Sequence, residues 1–221
     1  TGTSVDELDP NLSPLPVPNP GGNEECVFAR IREPGRGPLG GYQTTGGYAG
    51  LETALGMSPE EVRILITDSG LAGRGGAGFP TGAKWSAVAD APGEPKTIVC
   101  NADEGDSGTF ADRMIMEGDP FLLIDGMRIA ATAVGASQGY VYLRSEYPKA
   151  ADLFYKALKV ARAHDLLGKN FDIELFIGAG AYICGEETSM LESLEGKRGI
   201  IRAKPPLPAI EGLVGKPTLV H

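Results

Sequence analysis

The sequence predicts an α/β fold, in which a parallel sheet is flanked by helices. Three short apolar runs, at residues 97–100, 140–143 and 173–177, predict buried strands. Helical segments separate these runs, and strands that alternate with helices favour right-handed crossovers and therefore a parallel sheet. Ligands of such sheets bind outside the carboxyl ends of the strands. The turns that follow the predicted strands are therefore the first candidates for a ligand site.

The composition and the charge narrow the class of protein. The chain has 221 residues, enough for one substantial core, and a formal net charge of −9, which argues against nucleic acid and anionic membranes as partners. No apolar run approaches the ~20 residues that span a bilayer, and the first residues show no signal-peptide pattern. Because the chain begins at Thr1, we expect a processed chain or a fragment of a longer protein.

The three cysteines, Cys26, Cys100 and Cys184, lie too far apart for a CxxC motif. We therefore expect no zinc or iron–sulfur site made from the cysteines of this chain alone. An odd number of cysteines without a secretory signal favours reduced thiols and a cytoplasmic location.

Residues 1–50 are predicted to form an extended, irregular arm or linker, and residues 51–221 the folded domain. The first segment contains seven prolines and ten glycines, more than regular secondary structure tolerates. Within it, residues 26–31 (CVFARI) favour a short edge strand. No function is predicted for the arm itself.

The glycine-rich stretch at residues 69–85, SGLAGRGGAGFPTGAKW, is the strongest functional signal in the chain. Its six glycines leave backbone N–H groups accessible, and its only charges are the cations Arg74 and Lys84, so it suits an anion such as phosphate. A capping box predicts a helix from Ser58 to Asp68 before it. Residues 73–78 match the G-x-G-x-x-G fingerprint of dinucleotide-binding folds. That fingerprint requires a preceding strand, whereas a helix is predicted before this stretch, so the match lacks its structural context. The alternative to an anion-binding site is that this stretch is a flexible surface loop.

Two further helices connect the predicted strands. Asp119 is predicted to cap a long apolar helix that begins at Pro120 and ends near residue 135, and Pro148 begins another that ends near residue 164. Proline suits the first helical position, because the N–H group that it lacks has no partner within the helix there.

Two polar or glycine-rich turns follow predicted strands. Residues 101–106 (NADEGD) place an amide and three carboxylates after the first strand, and residues 178–188 (GAGAYICGEET) follow the third. Their positions predict that both line one pocket together with the glycine-rich stretch. The alternative for Glu186 and Glu187 is a capping role only, because carboxylates stabilise the N-terminus of the helix predicted at residues 187–195.

Four motifs in this order resemble the flavoprotein (NADH-binding) subunit family of respiratory complex I. They are GRGGAGFPTGAKW, NADEGDSGTFADR, GAGAYICGEETSMLESLEGKRG and AKPPLPAIEGLVGKPT, and the resemblance covers residues 60–221. The family includes the diaphorase subunits of NAD-linked hydrogenases and of cytoplasmic NAD-dependent formate dehydrogenases. The run SMLESLEGKRGIIRAKPPLPAIEG is most similar to the beta subunit of the formate dehydrogenase branch.

The resemblance implies an FMN held in a Rossmann-like domain, with NAD(H) stacked on the flavin. By resemblance, the residues that bind FMN are Gly73, Arg74, Gly75, Gly76, Lys84, Asn101, Asp103, Glu104, Gly105, Tyr182, Gly185, Glu186 and Glu187. Those that bind NAD are Phe79, Asp106, Glu187 and Lys204. The carboxylate of Glu187 is expected to select NAD over NADP by repelling a 2′-phosphate. No catalytic side chain is expected, because FMN carries the hydride chemistry.

The resemblance also implies iron–sulfur and catalytic subunits as partners, with electrons exchanged between NAD(H), FMN and a formate-oxidising partner. A 4Fe–4S cluster is expected in the part of the family's subunit that would follow His221. No direct membrane contact is expected. Complex I and an NAD-linked hydrogenase are the alternatives within this class, and a non-catalytic nucleotide-binding module is the alternative from another class.

Overall fold

The computed structural model describes residues 27–31, 33–75 and 77–221 of the chain. Most of the predicted N-terminal arm therefore lies outside the described residues, as do Cys26 and Gly76. Residues 27–31 form turns, so the edge strand predicted there is wrong over these five residues. Helical structure also begins within the predicted arm, because α1 spans Leu39–Thr44 and α2 spans Ala49–Leu55.

A sheet of four parallel strands forms the centre of the fold: β1 (Lys96–Ala102), β2 (Ala136–Leu143), β3 (Asp172–Ile177) and β4 (Thr218–Val220). Their order across the sheet is β3-β2-β1-β4. The three predicted strands and the parallel α/β class are confirmed. The sequence does not predict β4, because it has only three residues and follows a proline-rich segment. Ala102 pairs with Leu143, and Leu143 with Ile177, so the carboxyl ends of β1, β2 and β3 share one edge of the sheet.

Six further helices flank the sheet: α3 (Pro59–Asp68), α4 (Thr81–Asp90), α5 (Ala111–Gly118), α6 (Pro120–Val134), α7 (Pro148–Ala163) and α8 (Glu187–Leu194). The helices predicted from capping and proline signals, α3, α6, α7 and α8, begin where the sequence predicts. Among the described residues, no helix has both the length and the apolar character that a membrane crossing requires.

The structure confirms the predicted cap of α3 but not that of α6. Ser58 and Glu61 form the predicted capping box, in which the Glu61 carboxylate accepts a hydrogen bond of 2.7 Å from the Ser58 backbone N–H. The Asp119 side chain makes no capping hydrogen bond to α6. The prediction of a side-chain cap at Asp119 is therefore wrong, because a buried cation, Arg36, holds that carboxylate instead.

A buried polar network fixes α1 and α2 against α6. The Arg36 guanidinium donates to Asp119 at 2.6 Å, and both side chains are almost fully buried. The Asp125 carboxylate, one turn into α6, accepts from the Tyr42 hydroxyl at 2.7 Å and from the Tyr48 N–H at 3.0 Å. Burying a polar group costs free energy unless it is hydrogen-bonded, so these contacts favour this docking of the N-terminal helices over others.

Protein covers both faces of the sheet. On one face, α6 and α7 pack with Phe121, Ile124 and Phe154 fully buried. On the other, α8 packs with the single turn of 3₁₀ helix at Leu213–Gly215, burying Met190 against Tyr142 of β2. Because both faces are filled, the carboxyl edge of the strands is the position at which a ligand can approach the sheet.

Candidate functional site

The turns after β1 and β3 meet at the carboxyl edge of the sheet. The Asn101 side-chain amide donates a hydrogen bond of 2.9 Å to the Gly185 carbonyl oxygen. The Tyr182 hydroxyl donates to the Asp106 carboxylate at 2.8 Å. These two contacts join the acidic turn at residues 103–106 to the 3₁₀ turn at Tyr182–Gly185. Both predicted turns therefore belong to one site.

The glycine-rich stretch is a short hairpin between α3 and α4. The Gly73 N–H donates to the Phe79 carbonyl at 2.9 Å, and the Thr81 N–H donates to the Leu71 carbonyl at 2.9 Å. Arg74 and Gly75, at the tip of the hairpin, are exposed. A Cβ atom built on Gly75 meets no protein atom within 4 Å. The backbone at the tip is thus accessible, as the glycine pattern predicts.

The last part of that stretch is helical, which corrects the sequence interpretation. α4 begins at Thr81, so Gly82, Lys84 and Trp85 lie on a helix and not in the loop. Gly82 is buried against Thr67 of α3, where a Cβ atom would overlap the backbone. This glycine serves helix packing, and only the glycines before Pro80 form the accessible hairpin.

Lys84 lies between the glycine-rich hairpin, the end of β4 and the start of α8. Its ammonium donates to the Val220 carbonyl at the end of β4 at 3.0 Å, and it lies 3.9 Å from the Glu187 carboxylate. The same ammonium lies 5.7 Å from the centre of the half-exposed Phe79 ring. A cation is therefore held between the hairpin, the end of β4 and the start of α8.

Asp103 carries a buried carboxylate oxygen without a partner. Its Oδ2 atom is inaccessible to solvent and makes no hydrogen bond within the described part of the chain. Burial raises the pKa of this carboxyl, and the nearby Arg144 cation offsets part of that effect. Other buried side-chain atoms of the described residues are also unpaired, among them Asp119 Oδ1 and Asp125 Oδ1. Asp103 Oδ2 differs from these two in its position at the carboxyl edge of the sheet, where a ligand can donate a hydrogen bond.

The Glu104 side chain has a structural role that the sequence does not predict. Its carboxylate accepts from the backbone N–H groups of Asp112 and Arg113, at 3.2 and 3.4 Å, and so caps the start of α5. The Tyr147 hydroxyl donates to the same carboxylate at 3.1 Å. Arg144 donates to the Glu104 carbonyl oxygen. These bonds hold the acidic turn against α5 and α7.

Tyr182 explains why residue 105 is a glycine. A Cβ atom on Gly105 would lie 2.6 Å from the Tyr182 ring, closer than packed carbon atoms come. Tyr182 is 71% exposed although its ring is large, and the ring is held by its packing against Gly105 and by the hydrogen bond of its hydroxyl. Its hydrogen bond to Asp106 raises the pKa of the Tyr182 phenol. An exposed aromatic ring fixed in this way offers a flat surface at the site.

The start of α8 presents two glutamates that share one lysine. Glu186 is the N-cap residue, and its carboxylate accepts from the Thr188 and Ser189 N–H groups at 2.9 and 3.0 Å. The predicted capping role is therefore confirmed for Glu186. The Lys204 ammonium donates to Glu186 at 2.9 Å and to Glu187 at 2.6 Å.

The pKa shifts of Glu186 and Lys204 favour the charged forms that make the ion pairs. Burial alone would raise the pKa of Glu186, but hydrogen bonds from Thr188 and Lys204 lower it below its ordinary value. Burial would lower the pKa of Lys204, but hydrogen bonds to Glu187 and Glu186 raise it. Lys204 and the Glu186 carboxylate therefore remain charged at neutral pH.

The structure brings together the acidic turn, the 3₁₀ turn, the start of α8, Lys84 and Lys204. Among the described residues, Arg74 and Gly75 make no hydrogen bond or ion pair to those elements and lie exposed at the tip of the hairpin. Gly76 lies outside the described residues.

Sequence reasoning missed Thr188, whose hydroxyl donates to Glu186, and Arg202, whose backbone N–H donates to the Thr188 hydroxyl oxygen. Nothing in the sequence distinguishes this threonine and this arginine from others on a helix or a loop.

Comparison with known proteins gives consistent matches. Residues 66–216 match the family model described as the Nuo51 FMN-binding domain. A subunit of the NADH-quinone oxidoreductase of Aquifex aeolicus (strain VF5) is 50% identical in an alignment 202 residues long, which covers 88% of this chain and 47% of that protein. The alpha subunit of the NAD-reducing hydrogenase HoxS of Cupriavidus necator is 42% identical in an alignment 233 residues long, which covers 98% of this chain and 38% of that protein.

A solved structure shares the fold. The crystal structure of NAD⁺-reducing NiFe-hydrogenase in the air-oxidized state aligns with a TM-score of 0.75 at 38% identity, over 90% of this chain and 32% of that chain. The chain thus spans less than half the length of these relatives. Since the family model covers more than half of the chain, this protein belongs to the Nuo51 FMN-binding domain family, the flavoprotein family of complex I and of NAD-reducing hydrogenases.

Proposed function

We propose that this chain is the FMN-binding and NAD(H)-binding part of a diaphorase subunit in a multi-subunit oxidoreductase. The observation that carries the proposal is the convergence of the glycine-rich hairpin, the acidic turn and the start of α8 at one edge of the sheet. The hydrogen bond from Asn101 to Gly185 links the acidic turn to the turn before α8. Lys84 lies beside Glu187 at the start of α8 and 5.7 Å from the centre of the Phe79 ring in the hairpin. Family membership supports FMN as the ligand.

The chemistry of the site fits a flavin mononucleotide. The unpaired Asp103 oxygen can accept a hydrogen bond from a hydroxyl or ring N–H group, and the exposed hairpin amides and the Lys84 cation suit a phosphate. We propose that FMN is held by Gly73, Arg74, Gly75, Gly76, Lys84, Asn101, Asp103, Glu104, Gly105, Tyr182, Gly185, Glu186 and Glu187. For Glu104, the capping bonds to α5 restrict this role to holding the acidic turn in place.

NAD(H) is proposed to bind beside the flavin, on the side of Phe79, Asp106, Glu187 and Lys204. When bound, FMN supplies the acceptor for the hydride of the nicotinamide and the means to pass electrons on one at a time. The residues of this chain align the two molecules and exclude water. The exposed rings of Phe79 and Tyr182 provide flat surfaces for stacking, and Lys204 provides a cation. No side chain is proposed as an acid or base.

Replacing Glu187 by glutamine should raise the use of NADPH relative to NADH by about tenfold, which corresponds to about 1.4 kcal/mol of differential binding. The substitution removes the negative charge expected to repel a 2′-phosphate and leaves Lys84 and Lys204 close by to attract one. The measurement is the ratio of kcat/KM for the two dinucleotides. Glu211→Gln, an equal charge change at an exposed position, is the control and should leave the ratio unchanged. An unaltered ratio in the Glu187 variant would remove this residue from selectivity.

The proposed function is tested by mixing the purified flavoprotein with NADH under anaerobic conditions. We expect a yellow protein whose flavin absorbance is bleached at one NADH per FMN. A colourless protein that binds nucleotide, or a yellow one that NADH does not bleach, would contradict the proposal and favour a non-catalytic nucleotide-binding module.

Iron–sulfur and catalytic subunits are the proposed partners, because the relatives are subunits of complex I and of hydrogenases. A 4Fe–4S cluster is proposed in a part of the protein not included in this chain.

A more specific proposal concerns the catalytic subunit that exchanges electrons with this one. The run at residues 189–212, SMLESLEGKRGIIRAKPPLPAIEG, supports a formate-oxidising subunit. Formate should then reduce NAD⁺ in the purified complex. Reduction of NAD⁺ by H₂ without any formate activity would identify an NAD-linked hydrogenase, and electron transfer from NADH to a quinone would identify complex I.

A cytoplasmic location remains a prediction of the sequence.

A further inference from the structure

Arg202 connects its own segment with α8 and with the segment that leads to β4, near the proposed dinucleotide site. Its guanidinium donates to Glu192 at 2.5 Å and to Glu195 at 2.7 Å, both on or directly after α8. A third guanidinium hydrogen bond, of 2.8 Å, goes to the Gly212 carbonyl in the segment that leads to β4. A single side chain thus fastens the segment that carries Lys204 to α8.

That segment has little other support. Within the described chain, residues 198–206 make no backbone-to-backbone hydrogen bond. Ile200 and Ile201 are more than half exposed, so they contribute little packing. Beside the packing of Gly199 against Cys184, the hydrogen bonds of Arg202 are therefore the main polar restraint on the backbone that places Lys204.

The Arg202 backbone closes a hydrogen-bonded ring. Its N–H donates to the Thr188 hydroxyl oxygen at 2.9 Å, and the Thr188 hydroxyl donates to Glu186 at 2.5 Å. The other oxygen of Glu186 accepts from the Lys204 ammonium, and Lys204 follows Arg202 by two residues. The ring fixes both ends of the segment, the backbone at Arg202 and the ammonium at Lys204.

We propose that Arg202 is a positioning residue, which holds the Lys204 ammonium between Glu186 and Glu187 in the place where it meets the dinucleotide. This inference rests on the proposed role of Lys204 in NAD(H) binding. A preorganised cation loses less conformational entropy when the ligand arrives than a mobile one does. Loss of Arg202 should therefore weaken dinucleotide binding and leave the chemistry at the flavin unchanged.

The first test is Arg202→Gln in the full protein complex, with NADH oxidation measured against an artificial electron acceptor. We expect KM for NADH to rise by roughly tenfold, kcat to stay within about a factor of two, and FMN content to stay unchanged. Arg198→Gln, at an exposed position in the same segment, is the matched control and should leave KM unchanged. A loss of FMN or of kcat in parallel with KM would mean that Arg202 supports the fold generally, which overturns the proposal.

A second pair of variants tests the hydrogen bonds of Thr188 in the ring and leaves the Arg202 guanidinium in place. Thr188→Val removes the hydroxyl and should raise KM in the same direction, whereas Thr188→Ser keeps it and should resemble the unmodified protein. An unchanged KM in the valine variant would contradict the ring as the restraint.

The coupling between Arg202 and Lys204 decides whether one acts through the other. Lys204→Met alone should raise KM, and adding Arg202→Gln should raise it no further, because the residue to be positioned is already gone. Independent, multiplying effects on KM would overturn the inference. If the unmodified protein is not bleached by NADH, the proposed function fails. If it is bleached and only the Arg202 and Thr188 variants fail to change KM, this inference alone fails.

Discussion

Replacing Gly75 by valine should give a folded protein that has lost its FMN. Among the described residues, no atom lies within 4 Å of the Cβ position at Gly75, so the new side chain does not clash with the fold that they form. In the proposed site, that space is where the flavin nucleotide lies against the hairpin. A valine there fills the space and keeps the ligand from the backbone amides. We expect the ratio of bound flavin to protein, read from the visible absorbance, to fall at least about tenfold.

Gly126→Val is the matched control for that experiment. Gly126 lies exposed on α6, away from the carboxyl edge, and a Cβ atom there also meets nothing within 4 Å. The same added atoms should leave flavin content unchanged. Stoichiometric FMN in the Gly75 variant would show that the hairpin does not contact the cofactor.

Replacing Arg36 by methionine should destabilise the protein by about 3–5 kcal/mol, because it leaves the Asp119 carboxylate buried without its cation. The side chains of both residues are less than 5% exposed, and the guanidinium also donates to Thr45. The measurement is the free energy of unfolding in urea. We expect the flavin site to remain intact in the fraction that folds, since the pair lies between α1 and α6.

Two further variants separate the buried pair from a general effect of losing a cation. Arg30→Met breaks an exposed pair with Glu33 in the same part of the chain and should leave the unfolding midpoint almost unchanged. Adding Asp119→Leu to the Arg36 variant removes the uncompensated charge and should recover part of the lost stability. If Arg36→Met is no more harmful than Arg30→Met, the buried network does not fix α1 to α6.

Local signals in the sequence account for most of the sheet and its connecting helices. Ser58 with Glu61, and the prolines that begin α6 and α7, act on the first turn of their own helix, so neighbouring residues suffice to predict them. The apolar runs of β1, β2 and β3 are long enough to recognise as buried strands. Turns that follow such strands meet at one edge in any parallel sheet, which is why the site could be predicted before its contacts were known.

Other features depend on partners distant in sequence and could not be predicted in this way. Asp119 has the sequence context of a cap, yet its carboxylate belongs to Arg36, 83 residues earlier. Glu104 has the context of a ligand-binding residue, yet its carboxylate caps α5. Gly82 continues a glycine pattern, yet it is buried against α3. In each case the residue type allows two roles, and only the tertiary structure decides between them.

The most direct test of the central claim is a crystal structure of the protein with FMN bound. The account predicts one FMN at the carboxyl edge of the sheet, with its phosphate near the glycine-rich hairpin and a hydrogen bond to the Asp103 oxygen that has no partner among the described residues. FMN bound at another surface, or at this edge without contact to the hairpin and the acidic turn, would contradict it.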